Sequence, residues 1–339
     1  MTAAADSTET TSLPKLKTDW LPAALVPLLM LLALPLVGSF STWVTLTVAA
    51  LAMGMMIFLM ASGLTLVFGL MDVLNFGHGV FISFGAYVSL IVLGPLAGWV
   101  ASESLWLNIG VLLACIAVAM LVTGALGWAF ERLVIRPVYG QHLKQILITM
   151  GGMIVAEQMI HVIWGASPIP LRLPEGLRGS IVIGDAAMER YRVIAVVLGL
   201  FVFGVMYLVL NRTRIGLLIR AGVENAEMVE SLGYRIRRLF VGVFVAGSAL
   251  AGLGGVLWAF YRQTLTANMG MEVNVLIFIV IIIGGLGSVG GCFIGALLVA
   301  LVANYAGFLL PKLALFSSIL LMVVILLWRP QGLYPVAKR

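Results

Sequence analysis

Between Trp20 and Trp328 the chain repeats one pattern, an apolar run followed by a short polar joint. Ten such runs occupy 20–38, 43–71, 78–98, 107–130, 145–164, 193–210, 239–261, 273–286, 291–309 and 313–328. A helix of about 20 apolar residues crosses the hydrocarbon core of a bilayer. Soluble domains carry about 25% charged residues, whereas this chain has 10% charged and 62% hydrophobic residues. So few polar residues cannot cover a surface in water, so lipid must be the solvent for most of the chain. The expected fold is an all-α membrane protein, a polytopic bundle of about ten transmembrane helices. Some should be broken or short: 273–286 and 313–328 are brief, and 43–71 is long.

The basic residues sit in the joints and form no stripe, so the net charge of +6 does not point to nucleic acid. Placing the N-terminus in the cytosol and alternating sides puts fourteen Lys and Arg inside and six outside. That bias agrees with the positive-inside rule and with both termini cytoplasmic. Residues 1–19 are expected to be a cytosolic tail, 20–330 the transmembrane domain and 331–339 a second cytosolic tail. The run from Trp20 to Gly38 exceeds the roughly 7–15 residues of a signal-peptide core, so it reads as a span. Cys115 and Cys292 both fall inside apolar runs and read as small core residues. The outside loop 165–192 is rich in Pro and Gly and should be irregular. In the inside loop 211–238, Arg220 to Gly233 can form one short amphipathic helix. Glu224, Glu227 and Glu230 share roughly one face, and Gly233 is a fitting stop.

Three segments could carry function. Leu74-Asn75-Phe76-Gly77-His78-Gly79 follows the longest apolar run. Its polar groups need partners, so it either lines a pathway through the protein or forms an ordinary turn capped by His78. In the glycine cluster of 284–291, Gly285, Gly287 and Gly290 spell GxGxxG. A dinucleotide site needs an acidic residue about 20 positions on, but none follows Glu272, and no Lys completes a P-loop. Gly287, Gly291 and Gly295, four apart, instead suit close helix packing. The third segment is Glu157 with His161, one helical turn apart inside a span, either a mutually satisfied pair or part of a path. No catalytic constellation emerges, which disfavours an intramembrane enzyme.

These segments resemble the permease subunits of branched-chain (hydrophobic) amino acid ABC importers, the Liv-type family. The resemblance rests on Gly63 to Gly69 followed by Asn75 to Gly79 and Gly85-Ala86-Tyr87. It continues through Arg220-Ala221, Asn225 and Leu232-Gly233 into Ala251 to Val256, then Gly284 to Ser288 and Arg329 to Leu333. Gly77 stands where that family usually has Ala. The resemblance implies a permease subunit importing branched-chain or other hydrophobic amino acids; urea, amides or aromatic acids are alternative cargoes, and an ion-coupled secondary transporter is the rival mechanism. It implies as partners a second homologous permease subunit, two cytosolic ATPase subunits, a periplasmic substrate-binding protein and membrane lipid, with no cofactor or metal. The expected substrate-pathway residues are Asn75, His78, Gly79, Gly285 and Gly287. The expected ATPase-coupling residues are Arg220, Glu224, Asn225, Glu227 and Gly233, on a cytosolic coupling helix. Because no P-loop is present, the purified chain should show no saturable ATP binding in a filter assay; clear binding would count against a subunit that relies on partner ATPases.

Overall fold

The computed structural model describes residues 20–335; the tails 1–19 and 336–339 lie outside the described residues. Thirteen helices are assigned in this range: α1 (Leu21–Val37), α2 (Phe40–Met71), α3 (His78–Leu93), α4 (Ala97–Val100), α5 (Leu105–Phe130), α6 (His142–Trp164), α7 (Arg190–Arg212), α8 (Arg214–Glu224), α9 (Ala226–Ser231), α10 (Ile236–Arg262), α11 (Met269–Gly284), α12 (Val289–Leu309) and α13 (Ala314–Trp328). Each of the ten apolar runs falls on a helix. Six of these helices are long and apolar enough to cross a membrane, with α5 continuing through a π turn and a 3-10 turn to Val138. The remaining four, on α1, α3, α11 and α13, are shorter. The chain is an all-α membrane protein.

α2 is the axis of the bundle. Met56 to Ala61 are fully buried on every side, as expected of a helix apolar all round. It packs against α10 and α12, while α5 packs against α10 and α3. α6, α7 and α13 keep broad apolar faces exposed, among them Leu147, Val162, Phe201 and Leu327. Lipid satisfies such faces. The cysteines behave as core residues: both are free and buried.

Two halves of the chain repeat one design. In the first, α2 ends at Asp72 with φ 51°, a non-helical linker follows, and the sixteen-residue α3 begins. In the second, α10 ends at Gln263 with φ 53°, a linker follows, and the sixteen-residue α11 begins. These two caps are the only non-glycine residues with positive φ among the described residues. Left-handed backbone costs an L-residue about 1–2 kcal/mol, so finding it at matching positions marks a shared design. The halves run antiparallel. Gly63 meets Gly247 while Met60 meets Gly254, so α2 and α10 pass in opposite directions. Gly79 meets Gly270 while Phe76 bonds Asn274, so α3 and α11 do the same. The repeat is therefore inverted.

Glycine makes these crossings possible. A Cβ on Gly79 would collide with the Gly270 carbonyl, and one on Gly270 with the Gly79 carbonyl. Small residues let helix backbones touch where no hydrophobic force drives association. The glycine repeat near 287–295 does the same, with Gly291 against Gly284 and Gly295 against Val280.

The loop 165–189 is more regular than its composition suggests. β1 (Ile169–Pro170) pairs antiparallel with β4 (Thr264–Leu265), the linker before α11. β2 (Ser180–Ile183) and β3 (Ala186–Glu189) form a hairpin turning at Gly184, where φ is 60°. Alternation was hidden because this hairpin is too short to repeat a pattern.

Gly79→Ala should lower thermal stability by about 1–3 kcal/mol, the usual cost of overpacking. Gly290→Ala, which meets nothing within 4 Å, should be near neutral. Detergent-solubilised protein followed by scanning fluorimetry would test the contrast, and equal effects would refute the close-packing account.

Candidate functional site

The linker 72–77 does not leave the bundle. His78 Nε2 lies 2.9 Å from the Met60 carbonyl, and since a carbonyl only accepts, this nitrogen carries the proton. Met60 precedes the end of α2 by eleven residues, about 16 Å of helix at 1.5 Å per residue. The chain thus reaches the end of α2 at Met71, reverses at Asp72 and climbs back inside before α3 starts. α6 runs beside it in register. Asp72 Oδ2 lies 3.9 Å from His142 Nε2. The Leu74 N–H donates to Gln145 Oε1 at 3.4 Å, and the Phe76 N–H donates to Thr149 Oγ1 at 3.1 Å. From the opposite side, Asn274 Nδ2 on α11 donates to the Phe76 carbonyl at 2.9 Å, and Phe76 stacks on Phe278 with centroids 4.6 Å apart.

These partners explain how an unwound strand survives among apolar helices. Backbone polar groups without water must be met by protein, and an unmet one costs about 1–3 kcal/mol. Gln145 is itself held: its Nε2 donates to the Val138 carbonyl at 3.1 Å. The elbow carrying Val138 contains the π turn Glu131–Ile135, where Tyr139 donates to Glu131 Oε1 at 3.1 Å. Burial, reinforced by the Glu131 carboxylate, pushes the Tyr139 phenol above its ordinary pKa, so it stays a protonated donor.

Asn75 is an exception to this satisfaction. It is 1% exposed, and neither its Nδ2 nor its Oδ1 has a partner among the described residues. Asn274 Oδ1, on the other side of Phe76, is also buried without a partner. The open amide atoms of Asn75 and Asn274 thus lie on either side of Phe76 in sequence and hydrogen bonding.

The structure brings Asn75, His78 and Gly79 together and sets Gly285 and Gly287 apart. Gly287, with φ 83°, abuts Gly69 near the end of α2, nine residues beyond the Met60 carbonyl that His78 holds. Gly285, with φ 96°, packs under the C-terminal segment. The Leu333 N–H donates to the Ile283 carbonyl at 2.9 Å and the Tyr334 N–H to the Gly284 carbonyl at 3.0 Å. His78 does not cap its own helix; Gly77 occupies the cap position.

The segment 214–231 departs from the single helix expected. Asn225 breaks it into α8 and α9, because its Oδ1 accepts from the Met228 N–H at 2.8 Å and starts a new helix. Asparagine side chains compete with helix continuation in this way. Arg220 ties the segment back to α7, donating from Nη1 to the Leu210 carbonyl at 2.7 Å. Glu224 is the last residue of α8, and Glu227 lies exposed in the first turn of α9. Gly233, with φ 87°, follows the end of α9.

Against this geometry, one sequence comparison decides the family. The family model described as branched-chain amino acid transport system, permease component, matches residues 46–328. The chain belongs to this family. It is similar to the high-affinity branched-chain amino acid transport system permease protein BraD of Pseudomonas aeruginosa, 29% identical over 84% of this chain and 94% of the relative. It is similar to LivH of Escherichia coli, 26% identical over 81% of this chain and 90% of the relative. LivM of Escherichia coli is 25% identical over 86% of this chain and 71% of the relative. No solved structure matches.

Gln145, Thr149 and Asn274, which hold the linker, carry no motif in the sequence. Their only signal is polarity inside apolar runs, with Gln145 and Thr149 one helical turn apart. Asn274→Ala should leave the Phe76 carbonyl unmet and destabilise by about 1–3 kcal/mol. Thr149→Val should do the same for the Phe76 N–H. Thermal melts of the purified protein would show it, and unchanged melting of both variants would sink the assigned role of these bonds.

Proposed function

We propose that this chain is the membrane-spanning permease subunit of an ABC importer that moves amino acids, branched-chain or other hydrophobic ones, into the cell. The observation that carries the reading is family membership across residues 46–328, joined to an inverted repeat with an unwound interior linker. BraD and LivH are named for branched-chain amino acid transport, and the proposal extends that cargo to this chain. The similarity to both LivH and LivM suits a pairing with a second, related permease subunit. ATP hydrolysis then belongs to two cytosolic partner subunits, and a periplasmic binding protein supplies the solute.

In this reading all ten apolar helices span, with both termini cytoplasmic in the bacterial inner membrane, as the distribution of Lys and Arg favours. The linker 72–77, the loop 131–141, the pair α8–α9, the break 285–288 and the segment 329–335 then share the cytosolic side. α8 and α9 are the coupling element. Met228, Leu232 and Tyr234 leave apolar surface exposed beside Glu227 and Glu230, as a partner's groove would require. α8 packs on α7 and α2, and α9 packs on α10, so pushing the pair tilts the helices that carry both halves of the repeat.

Alternating access follows from the same geometry. The inverted halves cross at Gly79 and Gly270, where tight backbone contact forms a pivot rather than a compressible layer. Asn75, His78 and Gly79 line or hinge the solute route on one side of this pivot. Gly287, at the end of α2, and Gly285, under the C-terminal segment, provide the second hinge.

Gly233→Val should uncouple the transporter, because a β-branched residue at φ 87° is strained. In proteoliposomes containing the full complex, ATP hydrolysis should continue while solute uptake falls by about tenfold or more, the effect of roughly 1.4 kcal/mol of misplacement. Normal coupling would count against α8–α9 as the docking element.

A further inference from the structure

Glu157 sits on the inner side of α6, about two turns before its end at Trp164. It lines a narrow cleft with Gly79, Ser83, Ala267 and Met271, at the junction of the two inverted halves. The free volume is about 10 Å³, room for one water-sized group. Glu157 Oε1 lies 4.0 Å from His161 Nε2, too far for a hydrogen bond. The Glu157 side chain lines the cleft and is 23% exposed. Ser83 Oγ accepts the Gly270 N–H at 3.0 Å, and its own O–H has no acceptor among the described residues. Asn274 also stands beside Gly79, its Cβ 3.4 Å from where a Gly79 Cβ would project. Its Oδ1 is unpartnered, as is the whole Asn75 amide.

Around this one cleft, then, stand the Glu157 carboxyl group and the Ser83 hydroxyl, with the buried Asn274 amide beside Gly79. We propose that this is the recognition site for the charged head of an α-amino acid, with Glu157 taking the ammonium and the Ser83 hydroxyl taking the carboxylate. The proposal rests on the amino acid permease reading and adds to it a residue set and a polarity. A zwitterion carries both charges on one carbon, and such a site meets both without a fixed net charge in the bundle. A carboxylate among apolar helices is expensive unless it is paired, and a charge-assisted hydrogen bond to an ammonium supplies that pair. Met153 and Met271 line the same cleft. Their flexible thioethers adapt to more than one apolar side chain, which suits a carrier of related hydrophobic amino acids. As it stands, the cleft admits only the ammonium. The rest of the solute enters when α6 moves away from α3 and α11, which ties recognition to the transport cycle.

The test uses the full transporter, with its partner subunits and binding protein, in proteoliposomes. L-leucine is the probe. Glu157→Gln should raise the KM for uptake by about 10- to 100-fold, the loss of one hydrogen bond to a charged group. Glu157→Asp should recover most of that loss, which a merely structural role would not predict. Independently, Glu157→Cys should react with a cationic methanethiosulfonate in the assembled complex, and L-leucine should slow the reaction. Wild-type uptake combined with unchanged Glu157→Gln kinetics would overturn the site, as would labelling that L-leucine does not slow. Should the wild-type complex transport no amino acid at all, the permease reading itself would fail.

Discussion

An unwound backbone inside a bundle of apolar helices must have its hydrogen bonds met by side chains, because lipid offers none. The rest of this structure depends on how that demand is satisfied along residues 72–77. Gln145 and Thr149 meet two N–H groups from α6, and Asn274 meets a carbonyl from α11. Those bonds fix where α3 begins, and the start of α3 fixes where Gly79 can touch Gly270. The crossing of the two halves, the cleft beside it and the open amides around it all follow from this arrangement.

The inverted repeat gives that local arrangement its mechanical meaning. Two long helices end in left-handed caps at Asp72 and Gln263, and two sixteen-residue helices follow. Since the halves run antiparallel, their linkers approach the interior from opposite ends. β1 satisfies the second linker through Ile169 and Pro170, whereas α6 and α11 satisfy the first. The two linkers are thus held by different elements, and a motion that loosens one does not have to loosen the other. A transporter that opens to one side at a time needs that independence.

Much of the fold was legible in the residues. The apolar runs located all ten long or short apolar helices, because a helix that meets lipid must be uncharged over most of its length. The glycine spacing at 287, 291 and 295 announced close packing, and the lack of an acidic residue after Glu272 removed the nucleotide reading. The segment Asn75 to Gly79 was visible as a functional candidate because its polarity interrupts an apolar run. The single helix expected across 220–233 was not found, since one Asn225 cap outweighed a favourable amphipathic pattern. The hairpin at 180–189 also escaped notice, being too short to show a period.

By itself, the sequence determined that this chain lives in lipid, where its apolar helices lie and to which family it belongs, because composition and motif order are one-dimensional properties. Tertiary structure alone decided that the linker re-enters the bundle, that Gly79 and Gly270 form the crossing, and that Glu157 and Ser83 line one cleft. Those pairings join residues about 70 to 190 positions apart. Each is set by how closely two backbones can approach, and no local pattern records that distance.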